Sequence, residues 1–156
     1  PAQRARALIA EIPYLTIATA TKDGTPWNSP VYTAYDEQYN FYWVSSPKAQ
    51  HSKNIAENDR IFIVIYNSSA AEGTGEGVYI AARAFTLTDA DEITRALQLH
   101  SKRKGAGKEP RPAADFLGPK PRRVYKAVPE KFWINTGERI DGHYVDARVE
   151  IDSAML

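Results

Sequence analysis

The chain has 156 residues, 43% of them hydrophobic and 25% charged, with a net charge of +1; this fits one globular domain long enough to bury a core. It has no cysteine, which excludes disulfides, thiolate metal sites and a cysteine nucleophile. Its three histidines, His51, His100 and His143, lack ligand spacing, so a dedicated zinc site is not expected; no apolar run reaches a membrane span or a signal-peptide core, and a cytoplasmic protein is the expectation.

Residues 2–11 (AQRARALIAE) carry a short apolar stripe at helical spacing, and Pro13 ends it. Tyr14 to Ala20 (YLTIATA) is rich in β-branched residues and predicts a first strand. Asp23-Gly24 marks a hairpin turn, and Trp27 to Tyr35 is the returning strand. Pro30 within it requires an edge or a bulge. After a turn at 36–40, Phe41-Tyr42-Trp43-Val44 predicts the next strand.

The stretch FYWVSSPKAQHSKNIAENDR then passes from strand to helix. Ser46 is the expected N-cap, Pro47 suits the first helical position, and the helix is expected over 48–56. Lys48, His51, Ser52 and Ile55 share a face by their spacing. The junction gathers hydroxyls, amides and cations at a helix start, where free N–H groups and the positive dipole end favour anions, phosphates above all. Plain capping and a solvated face are the alternative reading. No phosphate-loop pattern ending in Gly-Lys-Ser/Thr is present.

Arg60 to Tyr66 (RIFIVIY) is apolar through its middle, which predicts a strand covered on both faces. The Gly-rich loop 67–77 holds Gly73-x-Gly75-x-Gly77, which leads into a strand and is no dinucleotide fingerprint. Val78 to Thr88 predicts a long strand whose alanines permit close approach of another backbone or a flat ligand. Asp89 to Ser101 is a helix capped by Asp89, with Ile93, Ala96, Leu97 and Leu99 on its buried side. Residues 102–126 hold nine Lys and Arg against two acids. Such a charge favours phosphate contact, but Phe116 is its one aromatic before Tyr125, so base stacking is poorly supplied. A solvated loop is expected there rather than a nucleic-acid site; binding of a phosphorylated or acidic substrate is the alternative. Residues 124–128, 131–136 and 143–151 predict three closing strands. The sum is an α+β domain: an antiparallel barrel of six or seven strands with helices in the connections.

Four segments carry a resemblance: LTIATATKDGTPWNSPVY, FYWVSS with HSKNIAENDRIFIVI, GVYIAARAFTLTD, and the aromatic pair Phe132-Trp133. In order and spacing they resemble the pyridoxamine 5'-phosphate oxidase-like FMN-binding split barrels. The resemblance implies a single split-barrel domain over 1–156 and an FMN-dependent oxidoreductase acting on a small substrate, with flavin at a homodimer interface. It implies that Trp27, Asn28, Ser29, Pro30 and Val31 line the isoalloxazine edge. Val44, Ser45 and Ser46 would lead toward the ribityl chain, and Gln50, His51, Ser52 and Lys53 would hold the phosphate. The partner subunit would add Glu76, Gly77, Val78 and Trp133. Core or dimer contact is the alternative for Trp27 and Trp133. Many relatives carry Arg-Lys where Gln50-His51 stand, and the Arg-x-His-Asp-Arg stretch of the vitamin B6 oxidases is broken here, at Arg139-Ile140-Asp141-Gly142-His143. A deazaflavin in place of FMN, or a flavin carrier or sensor without turnover, are the alternatives. No catalytic residue is singled out.

Overall fold

The computed structural model describes residues 1–105 and 109–156; residues 106–108 of the basic segment lie outside them. Helix α1 (Ala2–Glu11) leads into the hairpin β1 (Tyr14–Ala20) and β2 (Pro26–Tyr32). Short β3 (Ala34–Tyr35) pairs with β4 (Phe41–Ser45), followed by α2 (Gln50–Glu57), β5 (Arg60–Tyr66) and β6 (Gly77–Thr86). Helix α3 (Ala90–Arg103), a 3-10 turn at Ala113–Phe116, and β7 (Arg123–Asn135) come next. The chain closes with β8 (Arg139–Ile140), β9 (His143–Tyr144) and β10 (Arg148–Ile151). Every pairing is antiparallel, in the order β2-β1-β5-β6-β7-β4-β3, with β10 added on β7. This curled half-barrel with three helices is the expected α+β split barrel. No helix among the described residues is long and apolar enough to cross a membrane.

Alternation fills the interior. Ile17 from β1, Ile63 from β5, Ile80 from β6 and Ile134 from β7 are all fully buried, in one core with Trp43 and with Ala5 and Ile9 of α1. The small side chains Ala82 and Ala84 of β6 belong to this core too. A second core lies outside β4, where Tyr42 meets Ile93, Ala96 and Leu97 of α3, and Phe116. Asp89 caps α3 as expected, accepting from the Glu92 N–H at 2.8 Å.

Several boundaries differ from expectation. The returning strand breaks at Thr33 into β2 and β3. Pro30 sits on β2, the edge of the sheet, where its missing N–H costs no ladder bond. The strands expected at 124–128 and 131–136 are one strand, β7, because a register shift opposite Ala81/Ala82 takes up the extra residue beside Pro129. The last expected strand is two, β9 and β10. β5 is not covered on both faces within this chain. Ile61, Ile63 and Ile65 point into the core, while Phe62 and Val64 are half-buried and Tyr66 is 47% exposed on the outer face.

Arg103, at the end of α3, fastens α1. Its guanidinium donates to the Ile9, Ala10 and Ile12 carbonyls at 2.7, 3.3 and 2.9 Å and lies 5.0 Å from the Tyr35 ring centre. Helix α1 has no basic residue in its own last turn, so Arg103 supplies the donors that its final carbonyls lack. Arg103→Ala is expected to lower stability by about 1–2 kcal/mol, read as a lower denaturant midpoint. Arg103→Lys should recover part of this, since all three carbonyls surround the single nitrogen Nη2, a place one ammonium can take, while the planar stacking on Tyr35 is lost.

Candidate functional site: the junction of β4 and α2

Ser46 does not cap α2 by its side chain. It closes a turn instead: its hydroxyl accepts from the Lys48 N–H at 3.2 Å and its carbonyl from the Ala49 N–H at 3.0 Å. The helix therefore starts at Gln50, with Ala49 at the cap position and no side-chain cap bond among the described residues. The N–H groups of Gln50, His51 and Ser52 have no carbonyl one turn earlier within the helix. They mark the positive end of the helix dipole.

Around that end stand most of the residues singled out from the sequence. His51 is buried, and its Nε2 lies 2.9 Å from the Ser45 Oγ at the end of β4. Burial holds its pKa below the ordinary 6.5, so the ring is neutral at pH 7 and serves as a hydrogen-bonding group rather than a charge. Ser52 is only 3% exposed, and its hydroxyl finds no partner among the described residues. Such a buried orphan is uncommon and asks for a missing partner. Lys53 and Lys48 are exposed, Lys48 standing before the helix rather than on it. Val44 points the other way, toward the second core.

The strand β2 is tied to this junction by a chain of side chains that sequence reasoning missed. Gln50 Nε2 donates to Asn54 Oδ1 at 2.8 Å, and Asn54 Nδ2 donates to Thr19 Oγ1 at 3.0 Å. Thr19 in turn donates to the Trp27 carbonyl at 3.2 Å. Asn54 and Thr19 are 2% and 4% exposed. A polar pair at the seam of a helix and a strand leaves no periodic mark in sequence; the only hint is that Asn54 falls on the same helical face as Ile55 and His51. On β2, Trp27, Asn28 and Pro30 are exposed, and the Trp27 indole N–H donates to Ser29 Oγ at 3.2 Å. Val31 is different: its side chain belongs to the barrel core, so it offers no side-chain surface to a ligand.

The remaining expected residues form a second group on β6 and β7. Glu76 pairs with Arg4 of its own chain. The Gly77 N–H donates to Asn135 Oδ1 at 2.8 Å, and Asn135 Nδ2 donates to the Gly75 carbonyl at 3.2 Å, so Asn135 fixes the end of the Gly-rich loop. A Cβ at Gly77 would come within 3.1 Å of the Tyr79 hydroxyl, so a larger residue there requires the Tyr79 ring to shift. Val78 is fully buried and cannot present its side chain outward. Trp133 is half-buried and stacks on Phe62, with ring centres 6.1 Å apart.

Chemically, three free backbone N–H groups, the hydroxyls of Ser45, Ser46 and Ser52 and a nearby lysine suit a phosphate monoester. The described residues hold no cluster of acidic or histidine side chains suited to a metal ion. Burial also lowers the pKa of His100, aided by Lys104 and Arg103. Two imidazoles are thus kept neutral in the fold and free to protonate when unfolded. Their contribution to stability is complete above the ordinary pKa and is lost as pH falls through 6.5 toward the lowered folded values. The unfolding midpoint is therefore expected to drop between pH 7.5 and 5.5, and His51→Gln with His100→Gln should flatten that slope.

Among curated proteins no sequence match was found. Among solved structures, a heme binding protein from Mycobacterium smegmatis superposes with a TM-score of 0.73 at 21% identity, covering 99% of this chain and 58% of that one. HutZ, a heme storage protein from Vibrio cholerae, gives 0.63 at 14% identity, covering 82% and 89%. A candidate pyridoxamine 5'-phosphate oxidase from Listeria innocua gives 0.63 at 17% identity, covering 85% and 96%. At these identities the likeness establishes the fold alone. A family model described as pyridoxamine 5'-phosphate oxidase matches residues 2–135, a span that takes in β2, the β4–α2 junction and Trp133, and the chain therefore belongs to the pyridoxamine 5'-phosphate oxidase family.

Proposed function

We propose that this protein binds FMN at the β4–α2 junction, works as a homodimer, and is an oxidoreductase acting on a small substrate. The observation that carries the reading is the uncapped start of α2 together with the unpartnered, buried hydroxyl of Ser52. A phosphate monoester supplies the acceptors that this donor set lacks. When bound, the flavin supplies the redox chemistry. The chain's own part is to seat it. Ser45, positioned by His51, and Ser46 orient the phosphate end, with Lys53 adding charge. Trp27, Asn28, Ser29 and Pro30 offer a ring-sized, partly apolar edge on β2. The outer face of β5–β7, with Phe62, Val64, Tyr66 and Trp133 incompletely covered, supports a second copy closing over it.

The test is a titration of the apo protein. FMN is expected to bind at least tenfold more tightly than riboflavin, about 1.4 kcal/mol, with a dimer by light scattering at micromolar protein. Equal affinity for the two would remove the phosphate site. Reduction of the yellow complex by NADH or NADPH and reoxidation by acceptors distinguishes turnover from a carrier or sensor, and the absorption spectrum distinguishes a deazaflavin. The second reading is heme binding, favoured by the M. smegmatis and HutZ likenesses. Of the three histidines, His51 and His100 are buried and His143 is exposed, so His143 is the histidine that could reach a heme iron. A Soret band on hemin titration that is lost in His143→Ala, with no FMN uptake, would replace the first reading.

A further inference from the structure

The basic segment is not the featureless loop its composition suggests. Between the C-terminal half of α3, the outer face of β4 and residues 109–122 lies a cavity of about 250 Å³. Its apolar wall is built from Val44, Leu97, Pro110 and Phe116. Its rim carries Lys104, Arg111 and Arg122, with Glu109 as the opposing charge. Arg111 is already committed: it pairs with Asp115 at 3.0 Å and lies over the Phe116 ring. Lys104 has no carboxylate partner among the described residues, its ammonium lying 5.4 Å from the Tyr32 ring centre, and Arg122 has none either. Beside them His100 is 8% exposed, so the cavity is closed on that side by a neutral ring.

An apolar wall whose mouth carries two cations without an ion-pair partner among the described residues, against the one carboxylate of Glu109, matches a ligand of the same two-part design. The volume is below that usual for drug-sized ligands, roughly 300 Å³ and above, so it suits a body of one ring or a short branched chain. Free phosphate would leave the apolar wall unused, and a nucleic-acid strand would need aromatic platforms that this face lacks. We propose that this cavity is a binding site for a small amphipathic carboxylate, its apolar body against Val44, Leu97 and Phe116 and its carboxylate between Lys104 and Arg122. Charged hydrogen bonds at the mouth and burial of the ring would then act together. The site is separate from the α2 junction, since Val44 and Ser45 face opposite sides of β4, and it stands whether or not FMN binds.

The experiment titrates the full chain with benzoate by calorimetry, with benzyl alcohol, inorganic phosphate and a short oligothymidylate as comparisons. Benzoate is expected to bind with a dissociation constant below about 1 mM. Benzyl alcohol and phosphate should each bind at least tenfold more weakly. Lys104→Gln with Arg122→Gln, both exposed positions that leave the cores intact, should weaken benzoate at least tenfold. Lys22→Ala with Lys131→Ala, which removes equal charge elsewhere, should leave it unchanged. Leu97→Phe, filling the wall, should weaken benzoate and benzyl alcohol alike. Absence of benzoate binding, equal binding of benzyl alcohol, or equal binding of phosphate overturns the proposal. So does salt-dependent oligothymidylate binding that displaces benzoate and is lost in the Lys104/Arg122 variant, which would make this a nucleic-acid face.

Discussion

Ser52→Ala is expected to weaken FMN binding by about 1.5–3 kcal/mol, the range for hydrogen bonds to charged groups, while leaving the apo protein as stable as before or more so. The two halves of this result pull apart what other variants confound. In the fold without ligand the Ser52 hydroxyl is buried and makes no hydrogen bond among the described residues. Removing it gives up nothing and relieves an unsatisfied polar group. In a complex with a phosphate at the helix start, the same hydroxyl becomes a donor to a dianion. Equilibrium unfolding of apo Ser52→Ala and titration with FMN and riboflavin measure both quantities on one preparation. Riboflavin affinity should not change. If FMN affinity is also unchanged, Ser52 is a core serine and the phosphate reading must rest on Ser45, Ser46 and the backbone alone. If apo stability falls by more than about 1 kcal/mol, the hydroxyl has a partner within the fold and is no orphan.

The barrel was legible because its strands are short β-branched, aromatic or apolar runs set off by turns, while the inward faces show only in the structure. Leu15 and Ile17, Ile61, Ile63 and Ile65, and Phe41 and Trp43 each mark an inward face at a period of two. Asp89 and Asp23-Gly24 act through local chemistry that sequence shows directly. The start of α2 misled because Ser46 has two local uses. A serine before proline can cap a helix or close a turn, and the turn prevails when the helix begins later. β7 misled because Pro129 reads as a strand stop, yet a bulge absorbs it. Val31 and Val78 illustrate a different limit. A resemblance gives each a place along the family pattern, but the direction of each side chain depends on strand register, which a resemblance does not carry. Asn54 and Thr19 were invisible because a buried polar pair is defined by two partners distant in sequence, and neither residue is unusual alone.

That pair supports the second large effect. Asn54→Leu is expected to destabilise the apo protein by about 2–4 kcal/mol, because it leaves Thr19 without its buried donor and frees the Gln50 amide at once. Leucine shares the branching of asparagine but is larger, so at this buried position it leaves no cavity, and the loss combines the missing hydrogen bonds with some overpacking. Thr19→Val, which keeps the shape and removes the hydroxyl, should cost less, and the double variant should cost clearly less than the sum. That shortfall is the coupling expected of residues in direct contact. The chain ends on the Trp27 carbonyl, so its loss removes one tie between α2 and the edge strand β2, which stays paired with β1. Riboflavin, which lacks the phosphate, should therefore bind more weakly to Asn54→Leu and Thr19→Val if the ring rests against Trp27–Pro30. Ser52→Ala, acting at the phosphate end, should spare it. Denaturant titrations of the four proteins give the coupling, and riboflavin titrations give the reach to the ring. Strict additivity of the two single variants would show that Asn54 and Thr19 stabilise the fold separately, and unchanged riboflavin affinity in both would detach β2 from the cofactor site.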